Sequence, residues 1–205
     1  MTDENVSGKT TDRETTDSDG DPSDTAGPSG ASEETVPNGE LHPNAWKRTV
    51  ADMRSIATAR EDEDDWDVVV LEPHRTLPLD GEDDHYDVFG FLHSVDDEDD
   101  VEAFRNVFDR STFPRYEVYR TAVEDSVFFV TELFDPEAGT DVLIAGRYEP
   151  DAAIGMFDVA DQEGELYTHV ETPDEELAGA VQHGGYEKFV PEGILDTLDI
   201  GPPEI

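Results

Sequence analysis

Between Tyr116 and Glu149 three strand-like runs follow one another with almost no chain between them. The runs are Tyr116 to Val123, Val127 to Phe134 and Asp141 to Glu149. Their links are Glu124-Asp125-Ser126 and Asp135-Pro136-Glu137-Ala138-Gly139-Thr140, turns by length and composition. Parallel neighbours need a crossover of about a dozen residues or more, which neither link can hold. The chain is therefore committed to an antiparallel meander, and the remaining elements must be arranged around it.

Ahead of the meander, Trp46, Val50, Met53 and Ala57 repeat at helical spacing. With Pro43 at the first turn, they predict a helix from Pro43 to Arg60. Glu61 to Asp65 is an acidic loop, and Trp66 to Leu71 is a strand. That strand is apolar almost throughout, as expected of one buried on both faces. Glu72 to Tyr86 reads as a loop rich in Pro, Gly and acids, and Asp87 to His93 as a second strand. Ser94 and the acids after it suit a helix start, and Val101, Phe104 and Phe108 mark that helix's apolar stripe until about Arg110. After the meander come a weak helix from Asp151 to Gln162 and a sixth strand from Glu165 to Glu171. A short helix is expected from Pro173 to Gln182, ending at Gly184-Gly185. Phe189, Ile194, Leu195 and Leu198 give the C-terminal stretch enough apolar surface to pack on the domain. The class is α+β: a mostly antiparallel sheet of about five to six strands with helices packed on it.

Residues 1–40 differ from all of this. They contain no Leu, Ile, Phe, Tyr or Trp, and carry 11 acids against two bases. Such a segment buries too little apolar surface to offset its ordering entropy, so a disordered acidic tail is expected, followed by a single domain over 41–205. The tail has neither the basic start nor the apolar stretch of a signal peptide. No run elsewhere reaches the roughly 20 apolar residues that span a bilayer. A cytoplasmic protein without membrane contact is the expectation.

The chain carries 53 acidic and 13 basic residues, a formal charge of −40. Removing the tail leaves 42 acids and 11 bases, or −31, on residues 41–205. That balance argues against a nucleic-acid partner, which needs a basic face. The absence of cysteine excludes disulfides, thiol nucleophiles and thiolate metal sites. Three readings of the charge compete: adaptation to a cytosol of molar salt, mimicry of DNA or binding of a basic partner, and calcium binding. The acids are spread along the chain and only three of the 13 bases are Lys, which favours salt adaptation. A calcium loop needs Gly sixth and Glu twelfth. The run from Asp96 has Val101 sixth, and the run from Asp80 has His85 sixth and Phe91 twelfth, so both fail.

Several residues stand out as chemistry. On the sixth strand Tyr167, His169 and Glu171 alternate onto one face, joining a phenol, an imidazole and a carboxylate. An imidazole beside a carboxylate is general-base chemistry; the plainer reading rests Tyr167 on a helix and His169 on a backbone carbonyl. His183, before Gly184-Gly185, pairs an imidazole with backbone that admits close approach of a ligand, or else simply ends a helix. Arg147 alternates with Leu143 and Ala145, so it is expected to be partly buried and to need a carboxylate from the protein or a ligand. His74, His85 and His93, near Glu72 and Asp84, have spacings that match no metal-ligand motif, and no metal or cofactor is expected. There is no G-x-S-x-G serine elbow and no phosphate-loop motif. Two functions remain. The first is a non-enzymatic module binding a protein or a small molecule. The second is a small hydrolase or isomerase using His169 with Glu171 or His183.

Six stretches also carry a family likeness: Trp46–Ala57, Phe113–Arg120, Val127–Pro136, Leu143–Tyr148, Tyr167–Val170 and His183–Pro191. Together they resemble a family of small uncharacterised haloarchaeal proteins over most of residues 43–191. The resemblance implies a salt-filled haloarchaeal cytosol. It brings no assigned activity, and so no catalytic residues.

Overall fold

The meander forms as its spacing requires. In a computed structural model describing residues 36–63, 65–82 and 88–191, β4 (Arg115–Val123), β5 (Ser126–Asp135) and β6 (Thr140–Tyr148) pair antiparallel in sequence order. β5 and β6 are buried along nearly their whole length. β1 (Asp67–Leu71) completes this first sheet by joining β6 in parallel, giving the order β1-β6-β5-β4. Although β1 lies at an edge, both its faces are covered. Val68 and Val70 pack under α1 (Pro43–Glu61), and Val69 and Leu71 under α2 (Glu98–Phe108).

A second sheet was less visible in the sequence. Its order is β2-β3-β7-β8, from β2 (Arg75–Asp80), β3 (Phe89–Ser94), β7 (Leu166–Glu171) and β8 (Leu177–His183). β3 and β7 are parallel and the other two pairings antiparallel. The expected single sheet of about five to six strands is thus corrected, among the described residues, to eight strands in two mixed sheets of four. Two misread segments account for the difference. The expected loop from Glu72 to Tyr86 contains β2, whose Pro78 is tolerated because β2 is an edge strand. The expected helix from Pro173 to Gln182 is instead a tight turn followed by β8. There the Thr172 N–H donates to Glu176 O at 2.9 Å, and the Glu175 N–H to Thr172 O at 3.0 Å. Acids after a proline look like a helix start, yet Leu177, Gly179, Val181 and His183 alternate as a strand. At Gly179 a Cβ would lie 3.0 Å from the Phe104 ring and 3.1 Å from that of Phe108, so the glycine gives the α2 aromatics their place.

Helix α2 is also shifted. Its cap is Asp97, whose carboxylate accepts from the N–H groups of Asp99 and Asp100. Ser94, expected to start it, is the buried last residue of β3. The weak helix after the meander is α3 (Ile154–Glu163), preceded by a 3-10 turn at Pro150–Ala153.

Each helix covers its own apolar cluster. Val50, Met53 and Ala57 of α1 lie on Val130, Leu143 and Ala145, on the outer face of the first sheet. Between the sheets, Val101, Phe104 and Val107 of α2 meet Leu133, Val142, Ile144, Val170 and Val181. Met156, Phe157 and Ala160 of α3 meet Phe91, Phe129, Tyr148 and Phe189. Phe91 is the hinge of this second cluster, with ring centroids at 5.0 Å from Phe129 and 5.2 Å from Tyr148. The sheets close tightly beside Gly146, where a Cβ would lie 2.4 Å from the Phe129 ring and 3.0 Å from that of His93.

Packing starts ahead of residue 41, the expected boundary of the domain. Asn38 is buried, and its amide donates to Pro73 O at 2.8 Å and to the Thr76 hydroxyl at 3.1 Å. Residues 1–35 of the expected tail lie outside the described residues, as do Ile194, Leu195 and Leu198. Among the described residues no helix is long and apolar enough to cross a membrane.

Candidate functional site

The β7 face has the alternation its sequence implies. Each of its three groups is already engaged. The Tyr167 hydroxyl donates to Glu165 at 2.9 Å, and the ring lies 5.8 Å from that of His169, nearly parallel to it. His169 Nε2 lies 2.9 Å from the Phe89 carbonyl oxygen and donates to it, and burial lowers the imidazole's pKa. The ring is therefore neutral at neutral pH. Glu171 lies two residues further along and accepts from Ser94 and from Arg75 Nη2, the latter at 3.3 Å.

His183 does not join them. It pairs with Leu166 across β7 and β8 and so faces between the sheets, opposite to His169. Its Nε2 lies 2.8 Å from the Thr168 hydroxyl, and its ring 4.5 Å from that of Tyr116. Burial, with smaller contributions from His169 and Lys188, pushes its pKa down to about 3. Gly185 gives its carbonyl to the Tyr116 hydroxyl at 2.5 Å, and Gly184 precedes it in the same link. Arg147 belongs to the other sheet. It is 5% exposed, bonds the Ser126 hydroxyl at 3.2 Å and pairs with Glu149 at 2.6 Å. The residues singled out from sequence are thus spread over two sheets and both faces of one of them.

The histidines of the long loop are separated as well. His74 is at the surface, 3.0 Å from Asp96. His93 is sealed between the sheets with its pKa pushed down to about 3, first by burial, and its Nδ1 lies 3.4 Å from the Thr76 hydroxyl. Asp84 and His85 lie outside the described residues.

Two features escaped the sequence reading. The first is an ionic cluster under the end of α1. The Arg60 guanidinium donates to Glu132 at 2.7 Å and Asp141 at 3.0 Å, and lies over the Trp66 ring at 4.6 Å. The Tyr119 hydroxyl donates to the other oxygen of Glu132 at 2.7 Å. Burial, reinforced by Glu132, holds Asp141 well above the usual carboxylate range, while Arg60 pulls the other way. Carboxylates inside otherwise apolar strands, such as Glu132 in Val127–Phe134, are the trace such a cluster leaves in a sequence.

The second is a groove of about 540 Å³ between α1, β1 and α2. Ala57 and Val70 are its apolar lining, with Thr58 beside them. Its polar lining is Arg54, Glu61, Glu72 and Asp100, three carboxylates to one guanidinium. Arg54 pairs with Glu72. Burial and then the charges of Asp97, Glu72 and Asp99 raise the Asp100 pKa.

Residues 32–191 match a family of unknown function, DUF7529. The chain belongs to that family. The DUF7529 segment includes the eight strands and three helices of the described residues and every residue lining the groove. No curated protein and no solved structure matches the chain.

Proposed function

We propose that this DUF7529 protein is a non-enzymatic binding module of a salt-adapted cytosol, and that the groove between α1, β1 and α2 receives a small cationic ligand. The observation that carries this reading is the groove's lining: three carboxylates, one of them with a raised pKa, around an apolar floor. A cation entering there relieves the repulsion among Glu72, Asp97, Asp99 and Asp100. The ammonium end of an amine suits such a site, because its carbon stem can lie on Ala57 and Val70 while its charge meets the acids. The enzymatic alternative has weaker support. His169 and His183 are both engaged, both lowered in pKa, and on opposite faces of their sheet.

The test is titration of the full chain with an aliphatic diamine in 2 M KCl, followed by the chemical shifts of the groove residues. Saturable shifts at Ala57, Thr58 and Val70 that are lost in Glu72→Gln with Asp100→Asn are expected. Shifts spread evenly over the surface, and unchanged in that variant, would refute the assignment. The salt adaptation has its own check. With −31 on residues 41–205, melting in 0.1 M KCl should occur below melting in 2 M KCl, because the Debye length falls from about 10 Å to about 3 Å or less. Equal melting temperatures would count against it.

A further inference from the structure

At a distance from the groove, the entrance to α1 meets the turn between β4 and β5. His42 immediately precedes the helix, in the left-handed region at φ 51°. Its ring stands edge-on to Phe128, with centroids 6.3 Å apart. Its Nε2 is shut off from solvent and makes no hydrogen bond. That atom faces Glu124 Oε2 at 3.5 Å and Asp125 Oδ1 at 3.6 Å, both on the β4–β5 turn. Among the described residues this is the one set of three imidazole or carboxylate donors whose ligand atoms all lie within 4.8 Å of one another.

We infer that His42, Glu124 and Asp125 form a binding site for a divalent transition metal of the zinc class. The separations are too long for ordinary N–H···O bonds, which span about 2.7–3.2 Å. They are the separations that a shared metal produces. Ligands about 2.0–2.2 Å from a zinc ion, at tetrahedral angles, lie about 3.4 Å apart. Carboxylates only accept, and an imidazole nitrogen without its proton also only accepts, so a metal cation bound among the three would satisfy all of them at once. The donor set selects among cations. Two carboxylate oxygens alone would suit magnesium or calcium, whereas the buried imidazole nitrogen shifts preference toward zinc and its neighbours. The two carboxylates balance the metal's charge. The fourth tetrahedral position is left to water or to a ligand atom. The metal would also fasten the start of α1 to the β4–β5 turn, two segments separated by some 80 residues of chain.

The difficulty for any test is that 53 acidic side chains bind divalent ions weakly wherever they cluster. The experiment is therefore run on the full chain in 2 M KCl with excess magnesium, which occupies the carboxylate-only sites. Zinc is titrated calorimetrically, and cobalt(II) is added in parallel as a spectroscopic probe. The expected result is one zinc per chain, a higher melting temperature, and the intense visible bands of four-coordinate cobalt. His42→Ala should weaken zinc at least ~10-fold and abolish those bands, a loss typical of damage to a metal centre. Because His42 also packs on Phe128, Glu124→Gln with Asp125→Asn is the second variant. Both of its side chains are largely exposed, so the fold should survive and the metal should not bind. Zinc bound equally by wild type and both variants, no zinc bound in excess magnesium, or the pale spectrum of six-coordinate cobalt would each overturn the assignment.

Discussion

The fold buries polar groups in two contrasting ways. Under α1, Arg60 pairs directly with both Glu132 and Asp141, one cation shared by two carboxyl groups. Between and beside the strands of the second sheet, His93, His169 and His183 are kept neutral by burial, each near a hydroxyl or a carbonyl. One solution keeps charge and needs a partner for it. The other gives up charge and needs only hydrogen bonds. They respond to acid with opposite sign. An unfolded histidine titrates near 6.5, whereas His93 and His183 titrate at about 3 in the fold. Between these values the unfolded chain takes up protons that the folded chain refuses, so stability falls as pH drops below 6.5. Asp141 is raised, so the folded chain binds its proton more tightly than the unfolded chain does. The penalty on Asp141 is therefore relieved as pH falls.

The strongest way to break the contrast is to remove the shared cation. Arg60→Met leaves Glu132 and Asp141 facing each other with no guanidinium, and should cost about 3–5 kcal/mol at pH 7.5 in denaturant unfolding. The cost should shrink at pH 5, where one carboxyl takes a proton. A pH-independent cost would mean that Arg60 acts through packing on Trp66 and Phe134 alone.

Next in size is the acid response of the imidazoles. From the cited values, His93 and His183 should each withdraw about 2 kcal/mol of stability between pH 6.5 and pH 5. In the variant His93→Gln with His183→Gln the curve of stability against pH should flatten over that interval. An unchanged slope would place the acid sensitivity elsewhere. The smallest effect sharpens the comparison. Asp141→Asn removes a group that opposes acid loss, so its stability should fall more steeply from pH 6.5 to pH 4 than that of the wild type. A shallower fall would show that Asp141 is ionised in the fold across this range.

What the sequence disclosed follows from the reach of each signal. The meander was legible because loop length alone decides it. The first two helices left apolar stripes strong enough to place them, though the capping residue of α2 moved from Ser94 to Asp97, whereas α3 showed in the sequence only as a weak helix. β2 and β8 were obscured by residues whose local preferences oppose a strand: Pro78 in one, and the acids leading into a glycine-bearing stretch in the other. In both cases pairing with the neighbouring strand overrode local preference. The β7 face was legible as alternation, but which partners would claim Tyr167, His169 and Glu171 was not. The Arg60 cluster could not be read, since its ion pairs join residues 72 and 81 positions apart. The same holds for His42 with Glu124 and Asp125.

The two parallel pairings set a timetable for the chain as it is made. β1 registers against β6, with Asp67 opposite Thr140, and β3 against β7, with Phe91 opposite Thr168. On the ribosome, the first two helices and first three strands emerge with no partner for β1, and β3 has only β2. The meander can zip up by itself, and β1 then docks backwards onto it. The second sheet waits until β7 is free of the exit tunnel. A fold so dependent on distant partners forms late and slowly. In the interval the valine-rich β1 has no strand beside it, and the chain's own negative charge helps to hold it apart from other copies.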